Sequence, residues 1–317
     1  MLMIENIQIF FGAGLGAVAQ GVLWGIMALG VYITFKILDF ADMTVDGSFA
    51  LGGCVCALLV FKGFNPFLAI LIAGAAGSLA GFCTGILTTK LKIPGILSGI
   101  LMMLALYSIN LRILARPNLP LDKKNVTIMN ICNNIFGFDK IIKDHAVNIS
   151  CLVTGIVFCG IIIAVLYWFF GTEIGSCIRS TGDNPAMTRA QGVSTSKMQV
   201  LALMLANALV SVSGAFVAQQ QRVGDVGMGI GAIVIGLASI IIGEVVFGKR
   251  FGFWWLLIGV VLGSIVYRLI IAIVLQLGMK TQDMKLLSAV VVIIALSVPL
   301  LKKKLIPPKQ NNAGGDE

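Results

Sequence analysis

The segment Gly243-Glu-Val-Val-Phe-Gly248-Lys249-Arg250 comes within one residue of a phosphate-binding loop. Glycines at that spacing followed by lysine can cradle phosphates, but magnesium needs a Ser or Thr where Arg250 stands. The segment also closes an apolar helix-length run, whereas a phosphate loop joins a strand to a helix. Zinc chemistry lacks ligands, since His145 is the only histidine and there is no HExxH pair. Asp225 follows Gly224 in the manner of an intramembrane aspartyl protease, but Arg222 occupies the first glycine's place, and no Gly-x-Ser-x-Gly turn is present. Cys54, Cys56, Cys83, Cys132, Cys151, Cys159 and Cys177 form no paired CxxC set and read as small, reduced packing residues. The sequence thus offers no visible site for bond-making or bond-breaking chemistry, ATP hydrolysis included.

What remains is a set of polar groups inside apolar sequence. Asp39, Asp42, Thr44, Asp46 and Ser48 cluster at one interruption; Asn207, Gln219, Gln220, Gln221 and Asp225 surround a second. Ionisable groups at membrane depth are costly and usually face a cavity. Asp42, Thr44, Asp46, Ser48, Asn207 and Gln219 are therefore candidate lining residues of a solute path. The competing role, for Asp39 and Asp42, is capping of the following helix. Arg268 stands within Gly263–Gln276 with apolar residues on both sides. Counting from Phe253 puts it about 22 Å from the inner end of its helix. There it either snorkels to the outer interface beside Tyr267 or faces the outer mouth of the path and offers its guanidinium to an anionic group. Glu244 is the nearest carboxylate in sequence, but it falls at a different depth.

The elements that must hold these groups follow from composition. Of 317 residues, 58% are hydrophobic and 12% charged, about half the charge of a soluble domain. A soluble enzyme and a disordered chain are both excluded. The net charge of +9 comes from basic residues placed between apolar runs. They read as topology signals and lipid-headgroup contacts, not as a nucleic-acid surface. The N-terminus has no basic region or cleavage site, so no removable signal peptide is expected.

Apolar runs of spanning length lie at approximately 10–35, 66–89, 95–115, 149–171, 199–221 and 253–277. Shorter runs at 48–61, 232–248 and 286–301 adjoin Gly-rich or polar segments, as in broken membrane helices. The expected fold is an all-α transmembrane bundle of about nine spans in one domain, residues 1–317. It carries an outer loop at 116–148, a cytoplasmic loop at 172–198 and a cytoplasmic tail at 303–317. This count places twelve Lys and Arg inside, against four in short outer segments and five in the long outer loop. It sets the N-terminus outside. The two breaks then fall on opposite sides, which suggests an inverted repeat. Small-residue stripes at Gly77, Gly81 and Gly85, at Gly95 and Gly99, and at Gly259 and Gly263 suit close helix packing, within the bundle or between copies.

The cytoplasmic loop is the most informative stretch. Asn184 suits an N-cap, Pro185 the first helical position and Gly192 the residue past the end. A two-turn helix over 185–191 follows, about 10 Å long. It is either a connecting turn or a rigid knob docked into a soluble partner.

Arg179-Ser-Thr-Gly-Asp-Asn-Pro-Ala-Met-Thr-Arg-Ala-Gln-Gly192 closely resembles the coupling-helix loop of ABC-transporter permeases of the branched-chain amino-acid and ribose importer type. Leu38-Asp-Phe-Ala-Asp-Met-Thr-Val-Asp-Gly-Ser-Phe-Ala-Leu-Gly-Gly53 is similar to that family's break after its first conserved helix, with Asp46 added. Ile230–Gly243 resembles its Gly- and Ala-rich segment before the last helices. The three stand in family order and cover nearly the whole chain. The form Thr44-Val-Asp-Gly-Ser-Phe49 looks most like a subgroup thought to import amino acids, aromatic ones included. The extra N-terminal helix of ribose-type members is missing, and Glu244 and Phe247 stand where those members are more Gly-rich.

The resemblance implies a bacterial inner-membrane permease acting as a pair, a homodimer or two similar protomers. Gly182, Asp183, Asn184, Pro185, Ala186, Met187 and Arg189 would contact a separate ATPase subunit that carries ATP and magnesium. This chain would hold no cofactor. A substrate-binding protein would deliver a small solute from outside: an amino acid first, a nucleoside or sugar second. The rival class is a secondary transporter driven by an ion gradient, which explains the intramembrane charges but not the capped knob.

Overall fold

A backbone in lipid must satisfy its hydrogen bonds within each segment, and the computed structural model is accordingly helical almost throughout. It describes residues 2–122, 124–137, 146–248, 252–277, 283, 286–293 and 297. The tail at 303–317, His145, Lys249 and Arg250 lie outside the described residues. In chain order the elements are α1 (Leu2–Tyr32) with a π-helical turn (Ile33–Ile37), α2 (Thr44–Phe61), α3 (Pro66–Thr89), α4 (Gly95–Leu114), β1 (Asn118–Pro120), α5 (Ile128–Phe136), α6 (Ala146–Gly171), α7 (Glu173–Asp183), α8 (Pro185–Ala190), α9 (Thr195–Gln221), β2 (Val223–Asp225), α10 (Ala232–Phe247) and α11 (Phe253–Gln276).

Seven described helices are long and apolar enough to cross a membrane, against the nine expected. The run expected at 48–61 begins earlier, at Thr44, and reaches spanning length. The run at 232–248 forms α10, whose 16 residues make about 24 Å, short of a 30 Å hydrocarbon core. The run at 286–301 lies partly outside the described residues, with 286–293 helical.

The shortness of α10 has a physical cause. After β2 the chain descends beside α2 without helical structure. A side chain at Gly224 would meet Ala57, and one at Gly229 would strike the Asp46 carbonyl. Helix begins again only at Ala232. Irregular backbone at this depth is tolerated because protein covers it.

Serine-to-backbone bonds knit the helices in place of hydrophobic contrast, which is weak in lipid. Ser213 Oγ donates to Leu23 O at 2.7 Å, Ser264 Oγ to Gly21 O at 2.8 Å and Ser211 Oγ to Ala73 O at 2.6 Å. The glycine stripes serve packing within this chain. Gly77, Gly81 and Gly85 face α9, Gly95 and Gly99 face Phe40 and Met43, and Gly263 faces Ser239 of α10. Gly243, the first glycine of the phosphate-loop near miss, is buried in α10 against the Gly259 carbonyl.

At one end of the bundle α7 and α8 pack near the π-turn. At the other, β1 pairs antiparallel with β2, Leu119 opposite Gly224, and α5 closes the loop. Taking the α8 end as cytoplasmic, as the charge pattern has it, α1 runs inward.

A Cβ at Gly52 would overlap the Ser211 carbonyl, whereas Gly160 has open space around it. Gly52→Val is expected to force α2 and α9 apart and to lower stability by about 1–3 kcal/mol. Gly160→Ala leaves it unchanged or slightly higher. Thermal melts followed by size-exclusion chromatography in detergent check both.

Candidate functional site

Five buried polar side chains from three helices and one break meet in a layer between α2, α3 and α9. Asn207 Nδ2, on α9, donates to Asp42 Oδ2 at 2.7 Å and to Leu203 O at 3.0 Å. Ser48 Oγ donates to Asn207 Oδ1 at 2.7 Å. Thr44 and Thr84 share a hydroxyl–hydroxyl bond of 2.8 Å. All five residues are buried. Asp42 Oδ1 also accepts the Thr44 backbone N–H at 2.9 Å. The two sequence readings of Asp42 therefore combine: one carboxylate oxygen caps the start of α2, and the other ties that start to α9. These hydrogen bonds take the place of a cation beside the carboxylate.

Asp46 does different work. Its Oδ2 accepts from Gly231 N and its Oδ1 from Ile233 N, both at 2.9 Å. A side chain on α2 thus supplies the N-terminal cap of α10, which has no side-chain cap of its own. Asp46 also lines a cavity of about 270 Å³ with Gly47, Tyr107, Asn110, Val226 and Ile230. Asn110 donates weakly to Gly47 O at 3.5 Å, while its Oδ1 is buried without a partner.

Gln219 and Arg268 are not brought to this layer. Gln219 sits at the outer end, accepting from Ile128 N at 2.9 Å and donating to Pro66 O at 3.3 Å and Cys56 Sγ at 3.2 Å. It holds α5 onto α2, α3 and α9. Arg268 lies over the Trp24 ring, 4.1 Å from its centroid, and lines a separate cavity. Glu244 pairs with Lys36 at 3.1 Å, joining α10 to the π-turn. Asp39 is exposed with φ +52, in the turn after that pair.

At the α8 end the caps expected from sequence are formed. Asn184 Oδ1 accepts from Met187 N at 3.0 Å, Pro185 opens the helix, and Gly192 has φ +83. Thr188 is buried beneath α8 and its Oγ1 donates to Asn184 O at 3.0 Å. Arg189 Nε donates to Pro185 O at 3.0 Å. Asp183, Asn184, Pro185, Ala186, Met187 and Arg189 are exposed, with Met187 59% exposed. The loop holds more order than its sequence suggests. It includes α7, capped by Thr172 through Gly175 N. A Cβ at Gly182 would collide with the Ile37 carbonyl, so α7 lies directly on the π-turn at the end of α1. The Arg179 guanidinium donates to Phe170 O and stacks on Phe253, fixing the root of α7.

Sequence reasoning missed Thr84, the Lys36–Glu244 pair, Tyr107 and Asn110. Thr84 had a signal, since it continues the Gly77–Gly81 stripe at helical spacing. Lys36 and Glu244 had none, being 208 residues apart.

Residues 15–296 match the family model described as the branched-chain amino acid transport system permease component. A tyrosine transport system permease protein of Clostridioides difficile is 39% identical over 299 residues, 94% of each chain. A probable branched-chain amino acid transport permease of Methanocaldococcus jannaschii is 24% identical over 66% of each chain. A ribose import permease of Haemophilus influenzae is 24% identical over 68% of this chain and 64% of its own. No solved structure matches significantly.

Asn207→Leu removes the donor to a buried carboxylate and the acceptor for Ser48 at once. It is expected to lower stability by about 2–3 kcal/mol. Adding Asp42→Leu, which removes the orphaned polar group, restores part of that loss. Melting midpoints of the single and double variants check the coupling.

Proposed function

The chain belongs to the permease components of branched-chain amino-acid-type ABC transporters, multi-pass proteins of the bacterial inner membrane, and on that premise we propose that it is the translocating subunit of an ATP-driven amino-acid importer. An ATPase subunit binds ATP and magnesium and receives α8 in a groove. A substrate-binding protein delivers the solute at the β1–β2 end. A second permease protomer completes the path, since one protomer offers one knob and ATP sites in such machines form between two ATPase subunits. An aromatic amino acid is the first choice of solute, because a tyrosine permease matches along 94% of both chains.

The observation that carries the coupling role is the way α8 is mounted. A six-residue helix is too short to persist alone in water. Here it is closed by Asn184 and Pro185, seated on buried Thr188, and joined to α7, which lies on the π-turn at Gly182. Motion of α8 therefore enters the membrane domain beside the 38–43 break, next to the Asp42–Asn207 layer. The solute path in this reading uses the cavity beside Asp46, Tyr107 and Asn110. This cavity opens on the face of α2 and α4, where Leu101, Leu104 and Tyr107 are exposed. The partner protomer closes it.

Asn184→Ala weakens the cap by about 1 kcal/mol, and Met187→Glu places a charge on the exposed apolar face. Both are expected to reduce solute-stimulated ATP hydrolysis and uptake in vesicles containing the ATPase subunit, with membrane insertion unchanged. Unaltered coupling in both variants, or uptake that follows an ion gradient without ATP, contradicts the reading.

A further inference from the structure

Arg268 is a cation at membrane depth that the proposed path does not use. It sits in α11 about 12 Å from the outer end of that helix, at membrane depth, with its Nε buried and without a hydrogen-bond partner. Among the described residues no carboxylate pairs with it; the ion pair found there is Lys36–Glu244, at the other end of the bundle. Glu5, on α1, lies about 22 Å of helix beyond Gln20. The Trp24 face supplies a cation–π contact but accepts no hydrogen bond in the guanidinium plane. An arginine so placed is costly unless something compensates it.

The cavity that Arg268 lines measures about 300 Å³ and is built between α1, α6 and α11. It is polar at three points. Gln20, Asn148 and Arg268 all line it, and none of the three side chains makes a hydrogen bond to the described protein. Gly12 and Gly16 remove side chains from one wall and leave the space open. Ile271 and Leu275 make the opposite wall apolar. The nearby Trp24 Nε1 is a further buried donor without an acceptor. Donors are in excess around this space and the fixed charge is positive. The complement is a group that accepts several hydrogen bonds, carries negative charge and brings an apolar body with it.

We propose that the α1–α6–α11 cavity is a binding site for an amphiphilic oxyanion, whose carboxylate or phosphate is held by the Arg268 guanidinium with the Gln20 and Asn148 amides as further donors. A planar guanidinium matches either oxyanion in bidentate fashion. The apolar remainder of the ligand lies on Ile271 and Leu275. Two sources present this chemistry here: a phospholipid of the outer leaflet and the free carboxylate of an amino-acid solute. The site shares no lining residue with the cavity at Asp46 and Tyr107, so it stands or falls apart from the proposed path.

The test uses purified full-length permease without an ATPase, so its outcome is independent of coupling. Native mass spectrometry measures retention of short-chain phosphatidylglycerol, and equilibrium dialysis measures binding of L-tyrosine. The wild type is expected to hold one of the two per protomer. Arg268→Gln weakens that binding about tenfold or more, and Arg268→Lys weakens it less, because a point charge replaces only part of the fork. Asn148→Leu keeps the charge and blocks the rim, so it also weakens binding and serves if the arginine variants do not fold. Arginine-dependent retention of the phospholipid identifies a lipid site; arginine-dependent binding of tyrosine alone identifies a solute site. No binding of either probe by the wild type, or equal binding by wild type, Arg268→Gln and Asn148→Leu, overturns the proposal.

Discussion

Two hydrogen bonds from the start of α10 to the Asp46 carboxylate hold the two broken parts of this membrane domain together. Any interruption of a membrane helix strands backbone N–H groups where no water reaches them, at several kcal/mol each. The chain has two such interruptions and satisfies the second with a side chain from the helix that follows the first. Asp42 and Asn207 repeat the device, fastening the start of α2 to α9. Once these contacts are made, the depth of α10 relative to α2 is fixed, and the Gly-to-backbone contacts at Gly224 and Gly229 follow from it. The short α10, the cavity beside Asp46 and the position of the Lys36–Glu244 pair all depend on that register.

The polar residues fall into three separate groups by role. The Asp42–Asn207–Thr84 layer is buried, the Asp46 cap is half-buried, and both are nearly saturated with partners, as structural polar groups in a membrane must be. Gln219 pins the outer loop. The groups with spare hydrogen-bonding capacity, Asn110 on one side and Arg268, Gln20 and Asn148 on the other, border cavities. Unsatisfied capacity marks places for ligands better than polarity alone does.

Local signals were legible in the sequence and distant ones were not. Asn184, Pro185 and Gly192 announce α8 because a cap is written within a few residues. Six of the seven long helices announce themselves by apolar length; the seventh, α2, reads short because Thr44, Asp46 and Ser48 make its first turns polar. Of the nine expected spans, α10 falls short, because nothing near it reveals that its cap comes from Asp46, 185 residues earlier, and the 286–301 run lies partly outside the described residues. α7 was read as loop, since its 11 residues carry little apolar sequence and are ordered by packing on the π-turn. The six residues grouped as one path, Asp42 among them, divide in the structure because cap, layer and outer pin are all polar and look alike in one dimension.

Gly182 brings the backbone of α7 onto the Ile37 carbonyl with no side chain between them. A joint without a cushion has little slack, so if α8 is the coupling element proposed above, a small displacement of it would be passed on instead of being taken up by rotamer changes. The receiving element is a π-turn, a wound segment with one residue more than a regular turn holds. Such a turn can take up or release that residue and shift the phase of the helix beyond it. In the proposed coupling role the pair would work as a gear tooth meeting a slipped thread: linear motion at the surface would become rotation of the inner end of α1, and with it of the entrance to the 38–43 break.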